Sequence, residues 1–334
     1  MASTTSAAPA SIRFWCFFQN SAALSRRLTK DSSRCAFSRP DCKVNGSAKY
    51  GLDAVVDGMA LAIELFAMLG PLVMSWVIDD ALVAGDRDLL TKLLNEAKEY
   101  DAPVIDNGDF YDAMGGKWDP RANKSELRPE FQTARYLDAL VDDASAFLKP
   151  WLDILTVRGQ GNHETSIKKR HETCLTERLV ERLRASGAEH VRLGGYSGFI
   201  VFDCGAWGRR RPFRLHYHHG PNAGGHVTRG VIGTNRQAVY LADADMVFTG
   251  HSHDHWTVPI ARIRLNSENN KIEHTRQVHF RAAGLKEEYG DGYGGWHIER
   301  GAPPKPTGGV WIVFKVQPRN GGRNEIDFEI REAR

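Results

Sequence analysis

The stretch Trp151–Glu164 reads WLDILTVRGQGNHE and combines the two features that decide the fold of this chain. Residues Trp151–Val157 are rich in large apolar side chains, which predicts a buried β-strand. A glycine-rich loop follows and carries Asn162, His163 and Glu164 directly behind the strand. Strands that end in polar loops are typical of α/β proteins, which place functional groups on the loops and rigidity in the strands.

Three further predicted strands end in the same way, in glycine beside aspartate or histidine. They are Pro103–Asp106 before Gly108-Asp109-Phe110-Tyr111-Asp112, Phe213–His218 before His219-Gly220, and Asp245–Thr249 before Gly250-His251-Ser252-His253. We therefore expect the side chains of these four loops to lie along one edge of a sheet.

Carboxylate, amide and imidazole groups together suit divalent ions such as Mn²⁺, Fe²⁺ or Zn²⁺. None of the four loops contains cysteine, which argues against a structural zinc site. A carboxylate can bridge two ions through its two oxygens. Two ions about 3.5–4 Å apart can ionise a shared water and hold a phosphoryl group.

The remaining pattern alternates helices and strands in the first half and becomes rich in short strands after Val191. The predicted helices are Asp86–Tyr100, Pro129–Leu148, Glu164–Ala185 and one within Val227–Tyr240, and the further predicted strands are Leu72–Ile78, Gly198–Asp203, Trp256–Leu265, Gln277–Ala282, Val310–Val316 and Glu325–Ile330. This order favours two packed sheets flanked by helices.

Residues 1–50 are rich in serine, alanine and arginine and show no sustained helical or strand period. We expect a disordered leader or a wrongly predicted gene start, and an organelle transit peptide is the alternative. Residues 51–71 are predicted to form a helical lead-in.

The apolar stretch Met59–Ile78 is as long as a membrane span, but it contains Glu64 and is interrupted by Gly70-Pro71. We therefore predict a helix that ends near Leu69 and a buried strand after it, and no membrane association.

Charge and cysteine content restrict the partners and the compartment. Residues 1–50 hold eight basic and two acidic residues, so 36 basic and 39 acidic residues remain in 51–334, which carry a formal charge of −3. This charge gives no support for nucleic-acid binding by the core, although nucleic acid stays an alternative substrate. Five cysteines without a CxxC pair predict free thiols in a reducing compartment, in accord with a cytoplasmic protein.

The four motifs GDxxD, GNHE, HG and GHSH follow one another in this order, each after a predicted strand. In this respect residues 72–334 resemble the calcineurin-like metallophosphoesterase superfamily, and within it the bacterial and phage members of undetermined substrate. The resemblance implies an α/β fold, a four-layer αββα sandwich of two mixed sheets. It also implies two divalent metal ions and hydrolysis of a phosphomonoester or phosphodiester, as a phosphatase or a nuclease.

The resemblance also implies a role for each motif residue. Asp109 would bridge the two ions. The second ion would take Asn162, His219 and His251, and the first Asp79 and His253. His163 would contact the phosphate or protonate the leaving group, Glu164 would hold the His163 ring, and Asp112 would steady the loop. His218 is the alternative to His219, and His255 is a candidate for a substrate contact.

One motif departs from the family pattern. The family begins with Asp-x-His, and this chain contains no such tripeptide. At the matching place Asp79 takes the position of the aspartate and Ala81 that of the histidine, so Asp80 or water would have to replace the imidazole. The alternative explanation for the missing histidine is that the sequence before about residue 80 is not the native one. The loss of this ligand supports a second hypothesis, a degenerate fold that acts as a binding or scaffold module.

Two further segments carry a structural and a functional interpretation. The run Arg209-Arg210-Arg211 is predicted to be a solvated hairpin turn, with a nucleic-acid contact as the alternative. The long loop Glu287–Pro306, rich in glycine and aromatic residues, is either a flap over the site or a wall packed on the sheet.

Overall fold

The structure is a computed structural model, which describes residues 11–18, 47–51, 73–78, 86–111, 129–206, 209–220, 228–287, 289, 296–299, 301–317 and 325–334. Its strands are β1 Ser11–Phe18, β2 Ser47–Gly51, β3 Val73–Ile78, β4 Val104–Asp106, β5 Leu155–Arg158, β6 Arg192–Leu193, β7 Ser197–Ala206, β8 Arg209–His218, β9 Met246–Thr249, β10 Trp256–Asn266, β11 Lys271–Arg281, β12 Gly309–Gln317 and β13 Glu325–Ala333. Its α-helices are α1 Arg87–Glu99, α2 Tyr136–Leu148, α3 Asn162–His171, α4 Leu175–Ala185, α5 Gly233–Tyr240 and α6 Trp296–Glu299.

The strands form two mixed sheets. The first has the order β10-β11-β9-β8-β7-β1-β2 and the second the order β13-β12-β3-β4-β5-β6. The second sheet is parallel from β3 through β6, whereas β12 runs antiparallel to both of its neighbours. In the first sheet β8, β9 and β11 are parallel, and antiparallel pairs join β7 to β8 and β10 to β11.

The two sheets pack face to face through an apolar core. Phe202 and Phe213 of the first sheet contact Phe314 of the second, with ring centroids 5.0 and 5.4 Å apart. Ile105 and Val157, fully buried, belong to the same cluster. Burial of this apolar area is the main force that holds the sheets together.

Helices cover the outer faces of both sheets. On the second sheet α1, α2 and α4 pack through an apolar cluster that includes Leu93, Leu140 and Leu179. On the first sheet, Leu241, which follows α5, packs with Val247 of β9. The four-layer αββα sandwich expected from the motifs is therefore confirmed.

Helix α1 illustrates how closely local sequence sets this fold. The side chain of Asp86 accepts hydrogen bonds from the backbone N–H groups of Asp88 and Leu89, which caps the helix as its sequence predicts. The apolar residues at helical spacing face the core, with Leu90 and Leu93 fully buried.

One predicted helix is divided in the structure. The segment predicted as Glu164–Ala185 forms α3 and α4, because Glu172 adopts a left-handed conformation with φ of +54° and ends α3. Cys174 then caps α4, with its sulfur accepting from the N–H of Glu177 at 3.4 Å. The continuous helix was wrong because the polar residues of α3 gave no sign of the break.

The three arginines are placed differently from the predicted turn. Strand β8 begins at Arg209, so the run lies in the strand rather than in a hairpin turn. Arg211 donates to the backbone carbonyl of Ile326 at 2.9 Å, and its guanidinium lies 4.7 Å from the ring centre of Phe213. These contacts explain Arg211 without a nucleic-acid partner.

Two strands near the start of the chain, β1 and β2, belong to the first sheet. Strand β1 pairs in parallel with β7, and β2 pairs in parallel with β1. The sequence of β1, SIRFWCFF, is rich in aromatic residues that favour strands. The sequence pattern missed this because the pairing partner lies far away in the chain.

The apolar stretch that could have crossed a membrane ends in β3, which lies between β12 and β4. The helix predicted up to Leu69 lies outside the described residues. Within the described part of the chain, none of the helices is long and apolar enough to cross a membrane.

We expect acid to destabilise the fold through two buried histidines on the first sheet. Burial lowers the pKa of His216 and of His279 to about 4 each, from an ordinary value of 6.5. The unfolded chain then binds more protons between these values, so the free energy of unfolding should fall as the pH drops from about 6.5 to 4. Urea unfolding at several pH values measures this slope.

The variants His216→Gln and His279→Gln should each flatten that slope. His274→Gln, which replaces an exposed histidine on β11, provides the matched control and should leave it unchanged. A slope that is equally steep in all three variants would contradict the assignment.

Candidate metal centre

The four polar loops converge at one end of the sandwich, as expected from their order in the sequence. Strands β4 and β5, which precede Asp109 and Asn162, belong to the second sheet, and β8 and β9, which precede His219 and His251, belong to the first. The prediction of a single sheet edge was therefore too simple. The site lies across the ends of both sheets.

His219 lies at the centre of the site and is fully buried. Its Nδ1 lies 3.2 Å from the backbone carbonyl oxygen of Asn107. A carbonyl oxygen can only accept, so Nδ1 carries a proton there. Nε2 then faces Asp109 Oδ2 at 2.9 Å and Asn162 Oδ1 at 3.1 Å. Three atoms that can each offer a lone pair thus meet at one point, which calls for a positive charge: a second proton on His219 or a bound cation.

Asp109 supplies a negative charge although its side chain is almost fully buried. Burial raises the pKa of this carboxyl group. The hydrogen bond from His219 and the charges of His163 and His219 outweigh burial and hold the pKa at about 2. Asp109 is therefore ionised at neutral pH and is suited to bind cations.

His251 completes the group. Asp109, His219 and His251 each offer one ligand atom, and these atoms lie within 4.8 Å of one another. Burial, followed by the charge of His219, lowers the pKa of His251 to about 4. Its imidazole is therefore neutral at pH 7, the form that binds metal.

His253 lies beside this group but not within it. Its charge contributes to the lowered pKa of His251, so the two rings are close. Gly284 packs against the His253 ring, and a Cβ atom at Gly284 would lie only 3.0 Å from its Cγ. The structure thus brings His253 to the same end of the sandwich.

Glycines allow the loops to approach one another. A Cβ atom at Gly161 would clash with the carboxylate and backbone nitrogen of Asp109, and one at Gly108 would clash with Gly161. Gly108 also has φ of +110°, which other residues rarely adopt. The glycines of the GD and GN motifs are therefore a steric requirement of the site.

His163 lies next to the group formed by Asp109, His219 and His251, but outside it. Its backbone N–H donates to Asp109 Oδ1 at 2.9 Å, and its ring Nε2 lies 3.9 Å from Asp109 Oδ2. The side chain is 14% exposed, in contrast to the fully buried His219. This position gives the ring access to a ligand in the site.

Glu164 accepts hydrogen bonds from the backbone of both loops, a task that the resemblance did not imply. Its Oε2 accepts hydrogen bonds from the N–H groups of Asp109 at 3.0 Å and Gly161 at 2.8 Å, and its Oε1 from that of Tyr111 at 3.0 Å. Burial and the charge of Asp109 raise the pKa of this carboxyl group, against the hydrogen bonds that lower it. Glu164 thus ties the two ligand loops together.

The alternative histidines point elsewhere. His218 Nδ1 accepts from the N–H of Gly220 at 2.9 Å, so this nitrogen is engaged within its own loop. His255 Nε2 lies 3.1 Å from Glu332 Oε1 on β13. Asp79, Asp80, Ala81 and Asp112 lie outside the described residues, so the first metal site stays a prediction there.

A buried ion pair supports the Asp109 loop and escaped the sequence interpretation. Arg158 Nη2 lies 3.0 Å from Asp106 Oδ2, and both side chains are 1% exposed. The guanidinium lies 4.0 Å from the ring centre of Phe110, and Asp106 Oδ1 accepts from the N–H of Gly108. An arginine directly behind an apolar strand was the signal that could have revealed it.

No protein-family model matches the chain, and a search of curated proteins gives no match either. Solved structures of similar shape include a predicted phosphoesterase from Streptococcus pneumoniae, with 10% identity, a TM-score of 0.29 and coverage of 78% of this chain and 99% of the other. Vps29 of Chaetomium thermophilum shows 9% identity, a TM-score of 0.31 and coverage of 78% and 96%. A hypothetical protein from Thermus thermophilus shows 14% identity, a TM-score of 0.26 and coverage of 79% and 99%.

At such identities and TM-scores these likenesses carry no argument about the function.

We expect Glu164→Ala to destabilise the protein strongly, because it leaves three buried N–H groups without their acceptor. Each loss costs about 1–3 kcal/mol, so the total should reach roughly 3 kcal/mol or more. Urea unfolding measures it. Glu177→Ala, an exposed glutamate in the first turn of α4, is the control and should change the free energy of unfolding by less than about 0.5 kcal/mol. Equal effects of the two variants would refute this role of Glu164.

Proposed function

We propose that this protein is a metal-dependent hydrolase of phosphate esters. The observation that carries the proposal is the convergence of Asp109 Oδ2, Asn162 Oδ1 and His219 Nε2, with His251 beside them. These three atoms offer lone pairs in a buried position, and one divalent cation could accept all of them.

The residues present fit such an ion in three respects. Asp109 is ionised, His251 is neutral at pH 7, and His219 donates through Nδ1 to a backbone carbonyl, which leaves Nε2 for a ligand. A backbone carbonyl that fixes the ring of a ligand histidine is a common supporting contact of metal sites. We infer that Asn162, His219 and His251 would hold one ion, that Asp79 and His253 would hold a second, and that Asp109 would serve both.

The chemistry divides between these ions and the chain. When bound, Mn²⁺, Fe²⁺ or Zn²⁺ supplies Lewis acidity, which acidifies water and offsets the charge of a phosphoryl group. His163, partly exposed at the edge of the cluster, is the candidate to protonate the leaving group. Glu164 keeps the loops of Asp109 and Gly161 at a fixed distance, so it serves the site without touching the substrate.

The net charge of the protein bears on which phosphate esters it hydrolyses. The formal charge of −3 over residues 51–334 gives no support for a polyanionic substrate. Hydrolysis of a panel of phosphomonoesters and phosphodiesters with Mn²⁺ present would separate a phosphatase from a nuclease.

A scaffold or binding module is the second candidate, and the absence of Asp-x-His from the sequence favours it. Metal content separates the two hypotheses. A hydrolase with the site described above should bind close to two ions per chain, whereas a scaffold should bind at most one.

We expect Asp109→Asn to abolish hydrolysis and to weaken metal binding while the protein stays folded. The substitution keeps the size of the side chain and removes the charge between the two cations. Metal analysis, hydrolysis rate and circular dichroism should be measured together. More than about a tenth of the wild-type rate in this variant would rule out a bridging role.

His163→Ala should lower the turnover by roughly 10²–10⁴-fold with unchanged metal content, as expected for a general acid that is not a ligand. His171→Ala, at the other end of α3, is the matched control and should retain full turnover. Loss of bound metal from the His163 variant would show that this histidine is a ligand instead.

A further inference from the structure

The loop Gly250–Asp254 alternates between half-buried and buried residues. His251 and His253 adopt left-handed backbone conformations with φ of +74° and +51°. The residues between and after them, Ser252 and Asp254, are buried, with exposures of 7% and 6%. Two non-glycine residues at positive φ, separated by one residue, are strained, so other contacts must hold this loop in place.

Those contacts begin at Asp254. Its Oδ2 accepts from the Ser252 hydroxyl at 3.0 Å, and its Oδ1 accepts from Lys305 Nζ at 2.7 Å. The Lys305 side chain is only 16% exposed, so water screens this ion pair little.

Arg281 holds the same loop from the sheet. Its Nη1 donates to the Ser252 hydroxyl and to the carbonyl oxygen of Arg229, the latter at 3.2 Å, and its Nε donates to the Thr249 hydroxyl at 3.3 Å. The guanidinium also lies 5.2 Å from the ring centre of Trp256. The Ser252 hydroxyl therefore accepts a hydrogen bond from Arg281 and donates one to Asp254. A continuous series of hydrogen bonds thus runs from Arg281 to Lys305.

The segment that bears Lys305 also packs behind His253. Thr307 forms a β-bridge with Gly284, and Gly284 lies against the His253 ring. The Tyr289 hydroxyl donates to the carbonyl oxygen of Ala302 at 2.6 Å, which fastens the start of the segment. The described part of the long loop is thus a wall at the back of the site.

We propose that Lys305 and Arg281 are positioning residues, which hold the loop of His251 and His253 in its strained conformation and thereby set the affinity of the site for divalent metal. The inference rests on the proposed metal site and deepens it. Both residues act on the loop through Ser252 and Asp254. Contacts of this kind behind metal ligands change metal affinity by about 10–100-fold when removed.

The test uses the full chain and Mn²⁺ and Co²⁺ alone as probes. Lys305→Met keeps the length of the side chain and removes its charge. We expect affinity in titration calorimetry to fall by about 10–100-fold, with a changed visible absorption of bound Co²⁺. Lys305→Arg should restore most of the affinity. Arg281→Met should also weaken binding.

A matched control is Lys315→Met, which removes another lysine–carboxylate pair, with Glu329 on β13. It should bind metal like the wild type. Lys305→Met should also add little to Asp254→Asn, because the two variants break the same contact. Wild-type affinity in Lys305→Met, or an equal loss in Lys315→Met, would overturn the proposal.

A wild-type protein that binds neither ion would instead refute the proposed function. A readout without metal separates the two failures. Ring resonances of His251 and His253 in nuclear magnetic resonance spectra should shift in Lys305→Met and stay in place in Lys315→Met. Unshifted rings in both variants would overturn the positioning role whatever the metal affinity.

Discussion

The buried carboxylate of Glu164 is the contact on which the candidate site depends. It accepts the N–H groups of Asp109, Tyr111 and Gly161, and so joins a loop after β4 to a loop after β5. Without an acceptor these N–H groups would be buried and unpaired, and the close passage of Gly161 over Asp109 would lose contacts that stabilise it. Glu164 thus fixes the geometry of the loops, in addition to the role towards His163 that the resemblance implies.

The sandwich is needed because the site takes ligands from both sheets. Val157 lies before the Asn162 loop in the second sheet, and Phe248 before the His251 loop in the first, and both are fully buried in the core between the sheets. Any shift of one sheet against the other would separate His219 and His251 from Asp109 and Asn162. Packing between the sheets therefore fixes the distances on which the chemistry depends.

The sequence pattern predicted those features of the fold that depend on residues close together in the chain. The cap at Asp86, the apolar stripe of α1 and the glycine at each strand end were all visible, and so was the set of loops that meet at the site. Contacts between distant segments produce no periodic pattern in the sequence, so they were not predicted. Three kinds of contact join residues more than 50 positions apart: the Arg158–Asp106 ion pair, the pairing of β1 with β7, and the hydrogen bonds from Asp109 and Tyr111 to Glu164.

The electrostatics of the site bear on the proposal of a hydrolase rather than a scaffold. Gathering an ionised aspartate, an amide oxygen and two imidazoles in a buried place costs free energy, because each loses its water and faces other acceptors. A scaffold gains nothing from this arrangement, and apolar residues of similar volume would stabilise it more. A cation offsets the cost, since Asp109, His219 and His251 already lie within 4.8 Å of one another. The absence of a histidine at the position of Ala81 concerns only the proposed second ion, and it leaves this reason for binding metal in place.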